Sequence, residues 1–484
     1  MLRRRGLVRP AALTLRHHRK GLQMDAIVPL VRNFMKIRYE DIPPQVLTTT
    51  KKSIVDTFAA MLAGTSAQGC PEVVAQALEW GGKEESTVFH YVKKVPAFLA
   101  ALANGMMARA ADFDDVFEPG TLHASASIVP AALAAAEMKG GLSGKQFLTA
   151  VTLGIDRICR MGRTHKIPSG LSGMNVTFQY ACFGCAAVVG RVLGLDEEKM
   201  VQTMGLAYSQ TAGNSQNLLE GTLATRFSQG LTAQAGVYAA VFARRGISAA
   251  REVLEGKFGY YPVYHRGEYD VRSLLDGLGE RFEGVNVTLK KYPCCVHSHA
   301  TIDPILDILS EQGLNADDVD RVTVKINQQG FNFVCLPLEK TRVPRSIPEA
   351  QFSLPYAAAT ALVKRKVSLD DFTEEQIRNP HVLQVTQRVD CLVDPELDKM
   401  YPASVTPAIV EVGRKKGKVF SRRVVERRGS PTHPLTMEEI EEKFRQCARF
   451  AGNPVPEDRI REIIVFLRGK EDQDDVTRIL PLFS

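Results

Sequence analysis

The feature that most constrains this chain is a long succession of helix-periodic segments between Met24 and about Gly284. Apolar residues recur there at spacings of three and four, as in QVLTTTKKSIVDTFAAMLAG and LTAQAGVYAAVFARRG, and short Gly or Pro stretches separate the segments. Alanine and glycine occupy many positions where leucine is common, which lets helix axes approach closely. The pattern predicts a large all-α domain over 24–284.

A different pattern follows, with alternating, valine-rich stretches such as VDRVTVKINQ, GVNVTLKKYP and AIVEVGRKKGKVFSRRVVERRG. These stretches are typical of strands, and helical segments lie between them, so we expect a smaller α+β domain over 285–430. The last stretch predicts a hairpin whose many cations, Arg427 among them, are expected on a solvated edge.

The end of the chain is predicted to be helical again. Thr436 and Glu439 form a predicted capping box that restarts helix. Residues 431–484 are expected to pack back on the first domain. The result is a mainly α protein in which two cores suit the 484-residue length.

The formal charge of +7 is concentrated at the N-terminus. Residues 1–23 contain arginines and a lysine but no acidic residue, and the remainder of the chain is formally neutral. No nucleic-acid partner is therefore expected, since such proteins carry a basic surface. The extension has the composition of an organellar transit peptide, although a start codon assigned too early, before Met24, would look the same. We expect a cytoplasmic protein, or a mitochondrial matrix protein if 1–23 is a transit peptide.

No apolar run is long enough to cross a bilayer, so no membrane association is expected. The nine cysteines suggest a reducing compartment rather than a disulfide framework. Cys182 and Cys185 have C-x-x-C spacing but lie in an apolar run, which favours buried thiols. Cys294 and Cys295 are adjacent and would not easily ligate one ion together. An iron–sulfur cluster on these four cysteines stays an alternative.

Common motifs for phosphate loops, dinucleotide binding, zinc peptidases and serine esterases are absent from the sequence. What remains is the irregular stretch ADFDDVFEPGTLHASASIVPA, which places three acids and His123 between two apolar helices. A carboxylate beside a histidine orients the imidazole and tunes its proton affinity, as acid–base catalysis requires. Taken singly, Asp112 is better explained as a helix cap, His123 as a core histidine and Lys290 as a solvent-exposed cation.

Taken together, these stretches resemble the MmgE/PrpD family. DFDDVFEPGTLHASASIVPAALAAAE is similar to its first signature and LKKYPCCVHSHATID to its second, and the likeness runs in order from about Met24 to the C-terminus. The family includes 2-methylcitrate dehydratase, cis-aconitate decarboxylase and iminodisuccinate epimerase. The resemblance implies a large helical domain completed by the C-terminal helices, a smaller lid domain and a homodimer. It also implies a small carboxylate substrate and catalysis without a metal ion or an organic cofactor.

The resemblance also assigns roles to particular residues. It implies that His123 is the proton donor or acceptor, with Asp112 as its orienting partner, and that Lys290 holds a substrate carboxylate. Arg226 matches an arginine of the dehydratases and is expected to act as a further carboxylate clamp. His299, in the second signature, is assigned to substrate binding.

Several positions depart from the decarboxylase pattern. Asn175 stands at the place of a second active-site histidine, Thr225 at the place of a lysine, and Cys295 at the place of another histidine. Val116 replaces a threonine and Phe331 a lid tyrosine. Asn175, Thr225 and Cys295 are assigned to substrate binding, where Asn175 and Thr225 offer hydrogen bonds without charge and Cys295 is either a small wall or an acid–base group. We therefore expect a substrate with fewer or differently placed carboxylates than cis-aconitate.

The sequence thus predicts a cofactor-independent lyase that acts on a carbon next to a carboxylate. We favour a dehydratase of a small hydroxy-polycarboxylate similar to citrate or 2-methylcitrate. An epimerase or isomerase of a small dicarboxylate is the nearest alternative, because it uses the same groups without expelling one. A cis-aconitate-type decarboxylase, a non-catalytic binder and an iron–sulfur hydro-lyase also stay open at this stage.

Overall fold

The computed structural model describes residues 24–167, 172–400, 406–415 and 417–483. Within them the chain is mainly α-helical with a small β-sheet, as predicted. The N-terminal extension, and the transit-peptide hypothesis made for it, lie outside the described residues. In the part of the chain described, no helix is long and apolar enough to cross a membrane.

The helices up to residue 275 follow the predicted periodic segments. They are α1 (Ile27–Lys36), α2 (Pro44–Gly64), α3 (Cys70–Trp80), α4 (Ala97–Ala110), α5 (Ser125–Lys139), α6 (Gly144–Gly162), α7 (Val176–Val192), α8 (Glu197–Tyr208), α9 (Gln216–Leu219), α10 (Ala224–Arg244), α11 (Tyr260–His265) and α12 (Arg272–Leu275). A short antiparallel pair, β1 (Ser86–Val88) and β2 (Lys93–Val95), interrupts them.

The long helix α10 lies at the centre of this part and packs on α4, α5, α7 and α8. Its contact with α4 depends on glycine, because a Cβ atom on Gly105 would come within 3.0 Å of the Cα of Gly230. A Cβ atom on Gly230 would overlap the carbonyl oxygen of Leu102. The small side chains predicted from the sequence therefore allow α4 and α10 to approach closely, and the ends of both helices reach the candidate site.

The second part of the chain contains shorter helices around a four-stranded sheet. The helices are α13 (His299–Gln312), α14 (Gln328–Val334), α15 (Leu338–Arg342), α16 (Ile347–Gln351), α17 (Leu354–Lys364), α18 (Pro380–Thr386) and α19 (Pro395–Asp398). The strands are β3 (Val319–Ile326), β4 (Val389–Val393), β5 (Ala408–Arg414) and β6 (Val419–Val424). Their order is β4-β3-β5-β6; β3 pairs in parallel with β4 and antiparallel with β5, which pairs antiparallel with β6.

Two C-terminal helices, α20 (Met437–Ala448) and α21 (Glu457–Arg468), follow the sheet. The capping box at Thr436 and Glu439 is confirmed, since each side chain accepts a hydrogen bond from the backbone N–H of the other. Short 3₁₀ helices occupy Tyr39–Asp41, Glu118–Gly120, Glu283–Asn286, Val296–Ser298, Ala316–Asp318, Leu369–Asp371, Gln376–Arg378, Lys470–Asp472 and Val476–Phe483.

The buried apolar side chains form two separate clusters. One contains residues from α1 to α12 together with Leu289 and the C-terminal helices α20 and α21. The other begins at Tyr292 and extends through the β3–β5 part of the sheet. The candidate site receives residues from both parts, because Lys290 and Cys295 lie where the chain passes from the first cluster to the second.

One predicted strand is wrong. GVNVTLKKYP forms a 3₁₀ turn followed by a single antiparallel bridge between Thr288 and Val116 rather than a strand of the sheet. The two residues exchange backbone hydrogen bonds of 2.8 Å and 2.7 Å. This bridge brings the segment before Lys290 onto the loop that carries Asp112. The alternating residues here therefore position Lys290 at the candidate site and do not form a strand of the sheet.

Candidate active site

A cavity open to solvent lies where the ends of several elements meet, and its empty space, with the open part included, is about 690 Å³. Its polar lining includes Arg109 at the end of α4, Asp112 and His123 in the following loop, and Lys290 and Cys295 from the second signature. Most of the residues predicted from the sequence are thus brought together around one space.

Asp112 turns the chain immediately after α4. Its φ of 49° lies in the left-handed region, which is uncommon for a residue other than glycine but tolerated by aspartate. The N–H of Asp112 donates to the carbonyl of Arg109 at 3.2 Å, and its own carbonyl accepts from Lys290 Nζ at 2.9 Å. The strained turn is therefore held from both sides, and it directs the chain into the loop that ends at α5.

The carboxylate of Asp112 pairs with two cations. Lys290 Nζ lies 3.0 Å from Oδ2, and the guanidinium of Arg109 donates to Oδ1. Burial alone would raise the pKa of Asp112, but the charges of Lys290 and Arg109 hold that pKa below its ordinary value. Lys290 is only 1% exposed, so the alternative considered for this residue taken alone, a solvent-exposed cation, is wrong.

The partner that orients His123 is Asp114 and not Asp112, which corrects the expectation from the sequence. His123 Nδ1 lies 3.0 Å from Asp114 Oδ2 and 2.8 Å from the carbonyl oxygen of Asp115. Both neighbours are acceptors, so Nδ1 carries the proton and Nε2 is left as the basic nitrogen. Burial and the charge of Arg109 lower the pKa of His123, although Asp114 acts in the opposite direction.

Asp114 itself is fully buried and also contacts the guanidinium of Arg109 at 3.3 Å. Burial opposes its ionisation, but His123 and Arg109 hold the pKa of Asp114 well below its ordinary value. Arg109 was not singled out from the sequence. The available signal was its position as the last cation of an otherwise apolar helix, three residues before Asp112.

The third acid of the loop has a structural role. Asp115 accepts hydrogen bonds from the backbone N–H of Ser125 at 3.1 Å and from the hydroxyl of Ser125. It therefore caps α5, which is the role considered for Asp112 from the sequence. Burial raises the pKa of Asp115 to about 7, with the nearby charge of Asp114 adding to the effect.

The uncharged residues predicted for substrate binding also line the cavity. Asn175 lies at the start of α7 and Thr225 at the start of α10, where the Thr225 hydroxyl is buried without a hydrogen-bond partner among the described residues. Burial raises the pKa of the Cys295 thiol to about 12, so this residue forms a neutral wall rather than a ready proton donor. Arg226 lines an adjoining smaller cavity that shares Arg109 and Thr225 with the first.

His299 does not line either cavity, and His297 takes the place predicted for it. His299 begins α13 and is buried, with its ring 3.2 Å from the carbonyl oxygen of Cys294. His297 lines the main cavity and stacks on Phe333 with a ring separation of 5.5 Å. Burial lowers the pKa of His297 to about 4, so it is uncharged near neutral pH. Phe333 lines the cavity and Phe331 does not, although the sequence pattern singled out Phe331.

Two buried ion pairs outside the cavity hold its walls. Lys443 on α20 pairs with Asp56 at 2.5 Å and donates to the carbonyl oxygens of Phe113 at 2.6 Å and Lys290 at 3.0 Å. Arg427 pairs with Glu118 through two contacts of 2.6 Å and 3.0 Å. The expectation that Arg427 lies on a solvated edge is wrong, since it is only 4% exposed and its partner lies on the loop that carries His123.

The cysteines offered for an iron–sulfur cluster lie in different cores. Cys182 and Cys185 are on α7 in the first apolar cluster or beside it, whereas Cys294 and Cys295 belong to the second. Burial raises the pKa of Cys182 to about 12 and that of Cys185 well above its ordinary value. Within the described residues, no group of three or more His, Cys, Asp or Glu side chains is arranged to hold a metal ion.

Comparison with known families agrees with the motifs at this site. The model of the MmgE/PrpD N-terminal domain matches residues 30–272, and that of the MmgE/PrpD C-terminal domain matches residues 292–468. The chain belongs to the MmgE/PrpD family. The first match contains Asp114 and His123, the second contains Cys295, and Lys290 lies between the two matched regions.

The curated relatives of this MmgE/PrpD protein include cis-aconitate decarboxylases and 2-methylcitrate dehydratases. A cis-aconitate decarboxylase-like protein, oryM, of Aspergillus oryzae is 24% identical over 93% of this chain and 95% of its own length. The cis-aconitate decarboxylase of Homo sapiens is 25% identical over 91% of this chain and 90% of its own length. The mitochondrial 2-methylcitrate dehydratase of Yarrowia lipolytica is 21% identical over 90% of this chain and 82% of its own length.

Proposed function

We propose that this protein is a lyase that removes water from a small hydroxy-carboxylic acid, with His123 as the acid–base group. The observation that carries the proposal is the anchoring of His123 through Nδ1 to Asp114, which leaves Nε2 to accept a proton. Because the pKa of His123 is lowered by burial, its ring is neutral near neutral pH and suited to act as a base. No cofactor is part of the proposal.

The proposed reaction has a simple balance of atoms. His123 Nε2 takes the proton from the carbon next to the substrate carboxylate, and the electron pair of that C–H bond forms the double bond. The neighbouring hydroxyl leaves with the proton returned by the imidazolium, so water is released and His123 is again neutral. Arg226, with the N–H groups of Arg109 and Lys290 that line the adjoining space, stabilises the negative charge that develops on the carboxylate oxygens during proton removal.

Decarboxylation is the second candidate, because the relatives with about a quarter identity over most of the chain are named cis-aconitate decarboxylases. That reaction releases carbon dioxide first and then needs a proton donor at the remaining carbanion. A histidine with a lowered pKa is poorly protonated at neutral pH, which disfavours it as this donor. The state of His123 therefore supports the dehydratase proposal over the decarboxylase. An epimerase remains the nearest alternative, since it needs the same base.

Proton NMR of the purified protein in deuterium oxide tests the proposal. The panel contains citrate, 2-methylcitrate, malate, 3-hydroxybutanoate and cis-aconitate. We expect an alkene signal to appear from a hydroxy acid, or the cis-aconitate alkene to be hydrated. Deuterium incorporation at a CH group without net conversion would support the epimerase instead, and release of carbon dioxide would support the decarboxylase.

We also propose that the protein is a homodimer that associates through α10. Leu231 and Phe242 on this helix are 40% and 49% exposed, and Tyr238 between them stacks on Phe98 at a ring separation of 4.7 Å. An exposed apolar stripe on a core helix is typical of a protein interface. Light scattering after size-exclusion chromatography should show twice the chain mass. Replacing Leu231 and Phe242 by glutamate should give monomers, and unchanged dimers would contradict this interface.

A further inference from the structure

The positive and negative charges of the side chains around the two cavities nearly cancel one another. Arg109 and Lys290 both line the main cavity, and each is within ion-pair distance of a buried carboxylate. Asp112 contacts both cations, and Asp114 contacts Arg109. Two positive and two negative groups are thus already paired before a substrate enters. They provide little net positive charge for holding several anionic groups.

Arg226 is the exception among the cations at this site. Its side chain is 6% exposed and lines the smaller cavity, and Nη1 donates to the carbonyl oxygen of Gln68 at 3.2 Å. No acidic side chain lies within ion-pair distance of Arg226 in the described part of the chain. Asp112 lines the same cavity but pairs with Arg109 and Lys290 instead. A buried guanidinium without a direct ion pair favours one anionic ligand.

The remaining titratable groups add no positive charge near neutral pH. Burial lowers the pKa of His297 to about 4 and also lowers the pKa of His123. The other polar side chains that line the main cavity, including Asn175 and Thr225, are uncharged. The site as a whole therefore carries about one unbalanced positive charge, which matches a single carboxylate.

The remaining surface of the main cavity is more apolar than polar, although the hydroxyl side chains of Thr121, Thr177 and Ser215 also line it. Its wall includes Val116 from the loop that carries His123, Met174 and Phe178 around the start of α7, and Phe333 and Phe352 from the second part of the chain. These side chains offer no hydrogen bond or charge to a second or third carboxylate. They would instead lower the free energy of a bound alkyl group by removing it from water.

We propose that the substrate carries one ionised carboxylate, held beside Arg226, and an apolar substituent that lies against Val116, Phe178 and Phe333. This inference rests on the proposed function, because it takes the two cavities as one substrate site. The family resemblance predicts a hydroxy-polycarboxylate substrate. The inference narrows this substrate class to hydroxy acids that carry one carboxylate and an alkyl substituent. A second carboxylate would enter a space with no cation left unpaired, and its burial there is unfavourable.

Binding of unreactive six-carbon acids tests the inference without requiring turnover. Calorimetric titration of the full chain is made with hexanoate, adipate and propane-1,2,3-tricarboxylate, which carry one, two and three carboxylates. We expect hexanoate to bind at least about tenfold more tightly than either of the others. Butanoate should bind about 15-fold more weakly than hexanoate, since it lacks two methylenes and each contributes about fourfold.

Two variants test where the carboxylate and the alkyl end of the ligand bind. Arg226→Gln should weaken hexanoate binding by about tenfold or more, while Arg244→Gln, an exposed change on the same helix, should have no effect. Phe333→Ala should weaken the binding of hexanoate more than the binding of butanoate. Equal or tighter binding of adipate or the tricarboxylate, or no binding of any acid, would overturn the inference. If the acids bind with the expected order of affinities but no hydroxy acid is turned over, the result would contradict only the proposed lyase reaction.

Discussion

At the scale of single residues, the function depends on how His123 is held. Nδ1 contacts Asp114 at 3.0 Å and the Asp115 carbonyl at 2.8 Å, so the ring has one orientation and one basic nitrogen. Arg109 then keeps Asp114 ionised and disfavours the imidazolium form of His123. The loop thus supplies a neutral base beside two cations that are themselves neutralised by carboxylates.

Asp114→Asn tests this arrangement, because an amide keeps the shape but loses the negative charge. We expect kcat to fall by about 10²-fold or more, as when a catalytic histidine loses its orienting carboxylate. The activity of the wild type should fall on acidification through the pKa of His123, below about pH 6.5. Asp114 raises that pKa, so in the variant the acid limb should move to lower pH.

The control for this variant is Asp270→Asn, a change at a solvent-accessible carboxylate that should leave the kinetics unchanged. Stopped or continuous assays over a pH series measure both effects. An acid limb that moved to higher pH in Asp114→Asn, or an unchanged kcat, would show that Asp114 does not act on His123.

The motifs allowed prediction of the cluster but not of its internal contacts. His123, Asp112 and Lys290 could be selected because the two family signatures contain them. The choice between Asp112 and Asp114 depends on the left-handed turn at Asp112, which redirects the side chains that follow and leaves no mark in the sequence. The choice between His297 and His299 depends in the same way on the 3₁₀ turn that precedes α13.

At the scale of elements, helix α20 stabilises the segments that line the site through one buried lysine, Lys443. Lys443 contacts Asp56 on α2 and two backbone carbonyls, one at Phe113 and one at Lys290. Its ammonium group also lies 3.8 Å from the ring centroid of Phe113. Three separate segments therefore meet on one buried cation, which positions Lys290 opposite Asp112.

Lys443→Met should destabilise the fold, because it leaves Asp56 buried without its cation. The expected loss in the free energy of unfolding is about 3–5 kcal/mol, measured by urea titration. Glu442→Met, an exposed change on the same helix, should cost less than about 1 kcal/mol. Adding Asp56→Leu should recover part of the loss, and a loss from Lys443→Met no larger than that of the control would contradict this role.

Helix and hairpin positions were predictable because they depend on local periodicity. The segments assigned to α2, α10 and the β5–β6 hairpin all form as expected. GVNVTLKKYP has the same alternation but pairs with the loop after α4 by one bridge at Thr288. Local alternation does not reveal which partner a strand-like segment meets, and this is why that prediction failed.

At the scale of the whole molecule, burial of histidine links stability to pH. The pKa values of the following histidines are lowered, with burial as the first cause of each shift: His90, His123, His165, His265, His297 and His299. In the unfolded chain each binds a proton near pH 6.5, while the folded chain resists protonation. The unfolded state therefore binds more protons on acidification, and stability falls as the pH falls.

We expect the free energy of unfolding to fall by at least about 3 kcal/mol between pH 7.5 and 4.5. The window follows from the ordinary histidine pKa of 6.5 and the lowered values of about 4 for His165, His265 and His297. Asp115, with its pKa raised to about 7, acts in the opposite direction, as do Asp25, Asp56, Glu255 and Asp371, whose pKa values burial also raises. His297→Gln should reduce the pH dependence and the exposed His433→Gln should not. Constant or rising stability on acidification over this range would contradict this linkage.

The most direct test of the central claim is deuterium exchange by wild type and His123→Ala under identical conditions. In deuterium oxide, with the hydroxy acid that the wild type converts, NMR follows loss of the proton next to the carboxylate. We predict that the wild type exchanges or eliminates this proton and that His123→Ala, with an unchanged circular dichroism spectrum, does so at least about 10²-fold more slowly. Exchange by the folded variant at the wild-type rate would show that His123 is not the base.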